Sequence, residues 1–158
     1  MNEVIREMVV LLRGEMLRCS ISVQTELAAD LPRVMGDRVQ LQQVLMNLIH
    51  NSIEAMKDVD GVRELAIKTQ PAESEQLLVC VSDTGVGLPP EQADQIFNAF
   101  FTTKRQGTGM GLSISRSIVE SHNGRLWAAD NSPRGAKFHL LLQSPRVATH
   151  EKRAKPFR

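Results

Sequence analysis

The segment that most constrains the fold is DRVQLQQVLMNLIHNSIEAM, residues 37–56. Leu41, Val44, Leu45 and Leu48 recur at three- and four-residue steps, and the pattern continues through residues 52–56, so these positions form one side of an α-helix. Asp37 with Gln40 three residues later resembles a capping box, which opens the helix there and lets it run to about Lys57. A helix this apolar on one side must bury that side against another layer. The flanking sequence supplies strands. Residues 20–27 alternate, and Leu65, Ile67 and Thr69 share a face of a run that begins at Gly61. QLLVCVSD, residues 76–83, reads as a more continuously apolar strand, and the polar link QPAESEQ joins the last two as a hairpin.

The rest of the chain follows the same logic. Val4, Ile5, Met8, Leu11 and Leu12 mark a first helix over residues 2–18, Pro89 and Pro90 open a short one, and a third long helix runs from about Gly109 to His122. The strands GRLWAADN and GAKFHLLLQ are joined by SPRG, with Ala136, Phe138, Leu140 and Leu142 on one face. These elements predict an α+β, two-layer sandwich: a mixed, mostly antiparallel sheet of about five strands, covered on one side by three long helices. At 158 residues this is one domain, expected over 1–144, followed by a basic, disordered tail over 145–158.

Composition narrows the function classes. Apolar residues make up 42% and charged residues 23%, and no apolar run approaches the roughly 20 residues of a membrane span. Glu3, Arg6, Glu7 and Arg13 interrupt the first helix, so it is no secretory signal. Cys19 and Cys80 lie far apart without metal-type spacing and read as free thiols of a reducing compartment. The tail holds five of the nineteen Lys and Arg against one acid but no interleaved aromatics, so no nucleic-acid partner is expected.

Three stretches carry chemistry. Along residues 37–56, Gln43, Asn47, His50, Asn51 and Glu54 form a second, polar face: either a solvated stripe, or carboxamide oxygens one turn apart that suit a hard cation such as Mg²⁺. In SDTGVGLPP, Asp83 ends a strand and Gly85 and Gly87 allow a sharp turn. This is either an ordinary strand-to-turn Asp or a carboxylate that accepts a hydrogen bond from the exocyclic amine of adenine and repels guanine. The third stretch, FFTTKRQGTGMGLSIS, matches neither the dinucleotide fingerprint nor the P-loop, because Gly107, Gly109 and Gly111 give G-x-G-x-G with no Lys-Ser or Lys-Thr after them. What remains is a lid over residues 102–108 leading to a helix N-terminus suited to polyphosphate, with Lys104 and Arg105 adding charge.

In this order the stretches resemble the ATP-binding domain of sensor histidine kinases, within the superfamily of type II topoisomerases, Hsp90 chaperones and mismatch-repair ATPases. NLIHNSIEAM is similar to the N box, DTGVGLP to the G1 box, IFNAFFTTK to the F box and GTGMGLSIS to the G2 box, and the short lid is most like that of the nitrogen-regulation and oxygen-sensing kinases. The resemblance implies the Bergerat-type fold with ATP and Mg²⁺ as cofactors. It makes Asn51 the Mg²⁺ ligand and Asn47 a phosphate or metal contact, places Lys104 with these two as catalytic, and gives Asp83 the adenine amine. Gly85 and Gly87 then shape the adenine pocket, Gly107, Gly109 and Gly111 hold the β- and γ-phosphates, and Phe97, Thr103, Thr108, Met110 and Leu112 line the nucleotide. Phe97, Phe100 and Phe101 are lid anchors or simply apolar packing.

Hydrolysing members of the superfamily carry Glu where this chain has Asn47, and an amide cannot serve as general base. The resemblance therefore implies phosphoryl transfer to a histidine of a dimerisation domain and relay to a response regulator receiver domain. The alternatives are a nucleotide-sensing module without transfer and a serine kinase of the anti-sigma type. Three departures stand out: Asn98 and Ala99 replace a frequent Glu-Pro, His50 sits inside the N box, and no phosphoacceptor is found. His50, His122 and His139 fall on assigned elements, and His150 has Pro156 six positions on instead of five. The expectation is a catalytic domain separated from its dimerisation helices, monomeric alone and cytoplasmic, with a homodimeric parent that is either soluble or membrane-anchored.

Overall fold

The computed structural model describes residues 1–89, 93–99 and 110–145. Helix α1 (Asn2–Arg18) ends in a turn in which Ser20, at φ +57°, returns its N–H to Leu17 while Ile21 bonds Met16. This left-handed closure occupies Ser20, so strand β1 (Ser22–Leu27) starts two residues later than alternation alone predicts. Helix α2 (Arg38–Met56) follows, with the Asp37 side chain accepting from the Gln40 N–H at 3.1 Å. The reciprocal half of the expected capping box is replaced, because the Asp37 N–H donates to His122 Nε2 at 3.0 Å. His122 Nδ1 lies 2.7 Å from the Ile118 carbonyl, which can only accept. The imidazole is therefore the neutral Nδ1–H tautomer, joining the start of α2 to the end of the third helix.

Strands β2 (Glu64–Ala72) and β3 (Gln76–Ser82) form the expected antiparallel hairpin around the 3₁₀ turn Glu73–Glu75. The short helix expected after Pro89 and Pro90 corresponds, among the described residues, to the 3₁₀ turn Gln95–Phe97. Helix α3 (Gly111–Ser121) ends with Asn123 at φ +58° and the Gly124 N–H on the Val119 carbonyl, and β4 (Arg125–Asp130) and β5 (Ala136–Gln143) complete the sheet. The strand order is β1-β2-β3-β5-β4, with β1 and β2 parallel and the remaining pairs antiparallel. The parallel pair follows from α2, which crosses between its two strands as a parallel connection requires.

All three helices cover one face of the sheet. Leu65, Ile67, Leu77, Val79, Val81, Leu126 and Leu140 are essentially buried from the sheet side, against Ile5 and Met16 of α1, Leu45, Leu48, Ile49 and Ile53 of α2, and Val119 of α3. Each such side chain contributes about 1.5–3 kcal/mol by leaving water, so this single interface carries the fold. The opposite face is half-exposed, and there Trp127 stacks on His139 with ring centroids 5.0 Å apart. No helix of the described residues is long and apolar enough to cross a membrane.

Candidate functional site

The site grows from the end of β3. The backbone of Asp83 extends the ladder by one bond, its N–H donating to the Ala136 carbonyl at 2.9 Å. Its side chain is 1% exposed, and Oδ1 accepts from the Gly85 N–H at 2.9 Å and the Ala136 N–H at 3.2 Å. Burial pushes the carboxyl pKa above its ordinary value, and these two backbone bonds oppose that rise without cancelling it. The fully buried Ser52 hydroxyl of α2 acts in the same direction as the two N–H groups, although its oxygen meets no partner at ordinary hydrogen-bond geometry. A buried carboxylate with both backbone bonds on one oxygen, beside an unsatisfied hydroxyl, is a donor-seeking pocket of the kind an exocyclic amine fits.

Two glycines beside it are explained by close approach. A Cβ on Gly85 would lie 2.5 Å from the Ala55 carbonyl oxygen of α2, which also accepts from the Val86 N–H at 3.1 Å. Gly85 therefore lets the loop lie against α2, and Gly87 turns it at φ +82°. Gly135 is a site residue that sequence reasoning passed over as part of the SPRG turn. It sits at φ +105°, and a Cβ there would fall 1.9 Å from the Asp83 carbonyl oxygen. Two side chains of the same loop fix Asp83 and the backbone around it. Asn131 Nδ2 donates to the Asp83 carbonyl at 2.7 Å, and the Arg134 guanidinium donates to the carbonyls of Thr84, Val62 and Asp60 at 2.8, 3.2 and 3.3 Å. Only turn composition, with no pairing information, marked these residues in the sequence.

The polar face of α2 divides between two neighbours. His50 Nε2 turns to Glu15 of α1 at 3.3 Å, whereas Asn47 Nδ2 turns to α3 and donates to the Gly111 carbonyl at 3.2 Å and to Ser115 Oγ at 3.0 Å. Asn51, half-buried, lies one turn beyond Asn47. The solvated-stripe alternative thus fails for Asn47. Ser115, fully buried in the middle of α3, had no sequence signal beyond a serine on an otherwise apolar helix face.

Helix α3 begins at Gly111, two residues later than expected, with Met110 as its N-cap residue and no side-chain cap. Among the described residues no side chain caps its first N–H groups, which together with the positive end of the helix dipole suit an anion. Leu112 is half-buried against the core. Phe97 is buried too: it packs edge-to-face on Phe138 at 6.4 Å, with the Arg116 guanidinium 4.5 Å above its ring. This is the packing alternative for Phe97. The expected contacts at Phe100, Phe101, Thr103, Lys104, Arg105, Gly107, Thr108 and Gly109 lie outside the described residues.

Comparison with known proteins agrees with this geometry. Residues 36–146 match the family model described as histidine kinase-, DNA gyrase B- and HSP90-like ATPase. The chain is 48% identical over 114 residues to the sensor histidine kinase TmoS of Ectopseudomonas mendocina, covering 71% of this chain and 12% of that protein. It is 50% identical over 109 residues to the sensor protein FixL of Bradyrhizobium diazoefficiens, covering 69% of this chain and 21% of that one. It thus spans a minor part of both. Among solved structures, the nucleotide-free catalytic domain of the histidine kinase ThkA superposes with a TM-score of 0.79 at 35% identity, over 91% of this chain and 92% of that one. ThkA solved in complex with the response regulator TrrA superposes at 0.75 with 34% identity, over 90% of this chain and 40% of that one. The five-stranded mixed sheet backed by three helices is that of these catalytic domains, and the chain belongs to the histidine kinase-, DNA gyrase B- and HSP90-like ATPase family.

Proposed function

We propose that this chain binds Mg²⁺-ATP and transfers the γ-phosphoryl group to a histidine on a dimerisation domain, for relay to a response regulator. Asn47 is the observation that carries the choice of transfer over hydrolysis. Its amide nitrogen faces two acceptors, the Gly111 carbonyl and Ser115 Oγ, so a residue that must donate stands where a water-activating carboxylate would be needed. Asp83 selects adenine, and the N-terminus of α3, which no side chain caps among the described residues, receives the phosphates together with Lys104, Thr103, Thr108, Gly107 and Gly109.

Asn51, with the Asn47 oxygen one turn earlier, would hold Mg²⁺; neutral amide oxygens suit a hard cation that takes its remaining ligands from phosphate and water. When bound, the metal neutralises charge on the triphosphate. The acceptor nitrogen attacks the γ-phosphorus as the bond to the bridging oxygen breaks, and ADP leaves with that electron pair. The chain's own contribution is positioning. ThkA, solved with the response regulator TrrA, supports a receiver-domain partner, and the same family logic makes the isolated domain a monomer and the parent a homodimer.

Calorimetry on wild type, Asp83→Ala and Asn51→Ala, followed by transfer of label from γ-labelled ATP to a supplied dimerisation domain, tests the reading. We expect ATP binding to depend on both residues and the product phosphate to be acid-labile and base-stable. Unchanged ATP affinity in Asp83→Ala would refute the site, and acid-stable phosphate on the acceptor would refute histidine transfer.

A further inference from the structure

Ser115 is fully buried near the centre of α3, and a buried hydroxyl calls for a reason. Its one proton goes to the Gly111 carbonyl at 2.8 Å, an intrahelical bond. Oγ also accepts from Asn47 Nδ2, 3.0 Å away on α2. The Gly111 carbonyl takes the second bond from the same nitrogen at 3.2 Å. A carbonyl can only accept, so this contact fixes which end of the Asn47 carboxamide is nitrogen. The two acceptors lie 2.8 Å apart and so share the hydrogen side of this nitrogen, which leaves Oδ1 turned to the other end of the planar group.

From this closed triangle we infer that Ser115 is a positioning residue: it holds the Asn47 amide in one orientation and so presents Oδ1 to phosphate or metal. The inference deepens the proposed reading of Asn47 and rests on it. Ser115 touches no reacting atom; it acts through Asn47. The triangle also ties the N-terminal turn of α3 to α2, so the helix end that receives the phosphates and the residue that contacts them keep one relative position. Without the hydroxyl, the amide retains one of its two acceptors and gains freedom to rotate.

The test has two independent arms on the whole chain. In the first, ¹⁵N-labelled protein gives the Asn47 side-chain amide signal, identified by its loss in Asn47→Ala. Solvent exchange of that NH₂ group should rise at least about fivefold in Ser115→Ala, as one buried net hydrogen bond is lost. In the second arm, Mg²⁺-ATP affinity should fall about three- to tenfold in Ser115→Ala, with AMP affinity unchanged because the adenine end is untouched. Ser115→Cys, whose thiol is a poorer acceptor of nearly the same size, should lie between the two and keeps the test open if Ser115→Ala folds poorly. Unchanged amide exchange would overturn the inference, as would Mg²⁺-ATP and AMP weakening together. Absence of any nucleotide binding by wild type would instead overturn the reading of the site, while the exchange arm would still decide the Ser115 contact.

Discussion

Replacing Asp83 by Asn separates recognition from architecture at one atom. Both backbone bonds to this side chain land on Oδ1, from Gly85 at 2.9 Å and Ala136 at 3.2 Å, so an Asn whose oxygen takes that place keeps both. The change falls on the other oxygen, which becomes an NH₂ group. In the proposed complex it faces the amine of adenine, so the substitution replaces a charge-assisted bond by two opposed donors. A hydrogen bond to a charged group is worth about 1.5–3 kcal/mol net, and the opposed donors add to its loss, so about 2–4 kcal/mol or roughly 30- to 1,000-fold in ATP affinity is expected. Guanine offers an oxygen at the equivalent place, so the preference for ATP over GTP should shrink by at least about tenfold.

Stability should move the other way. Because burial raises the Asp83 pKa above 3.8 in the folded protein, the folded state holds this proton more tightly than the unfolded chain. The associated stabilisation is complete below pH 3.8 and is lost as pH rises through the folded value. Asn does not titrate, so Asp83→Asn should gain stability relative to wild type over that same rise. Asp83→Ala, by contrast, leaves two buried N–H groups unpaired at about 1–3 kcal/mol each and should melt markedly lower at every pH. Calorimetry with Mg²⁺-ATP and Mg²⁺-GTP, paired with thermal melts from pH 4 to 8, reads all of this. Full ATP affinity in Asp83→Asn would refute the adenine assignment. Loss of ATP binding accompanied by a melting loss equal to that of Asp83→Ala would show that Asp83 serves the fold alone.

The other predictions concern the elements that hold this site. Gly135→Ala must accommodate a Cβ 1.9 Å from the Asp83 carbonyl oxygen at φ +105°, so we expect a stability loss above about 2 kcal/mol with weakened ATP binding, measured by urea denaturation and calorimetry. Arg134→Ala removes three bonds to loop carbonyls from an exposed side chain, and a loss of about 1–2 kcal/mol with a small drop in ATP affinity should appear in the same assays. Burial and then the Lys137 charge push the His139 pKa below 6.5, so its stabilisation is present above pH 6.5 and is lost as pH falls through the folded value. His139→Gln should therefore flatten the acid limb of stability against pH, read from urea midpoints between pH 7 and 4.

What the sequence made legible depended on whether the cause was local. The one-sided apolar pattern of residues 37–56 placed α2 to within a residue at its C-terminal end, because helix periodicity and a terminal Asp are local properties. The alternating faces of β2 and β5 were readable for the same reason, since each strand presents a buried side whatever its partner. Strand order was not, and neither was the substitution of His122 for the second half of the capping box, because that contact spans residues 37 and 122. The candidate site shows the same division. Asp83, Asn47 and Asn51 announce themselves by residue type and spacing, whereas Gly135, Asn131, Ser52 and Ser115 act on them from other elements and look ordinary in sequence. Gly135 is the sharpest case: any chain can place a glycine after Pro-Arg in a turn, but only the pairing of β3 with β5 brings that turn against the Asp83 backbone and makes glycine obligatory there. The residues proposed to carry chemistry were therefore visible before the residues that hold them, since a chemical role constrains residue type while a supporting role constrains only position in the folded chain.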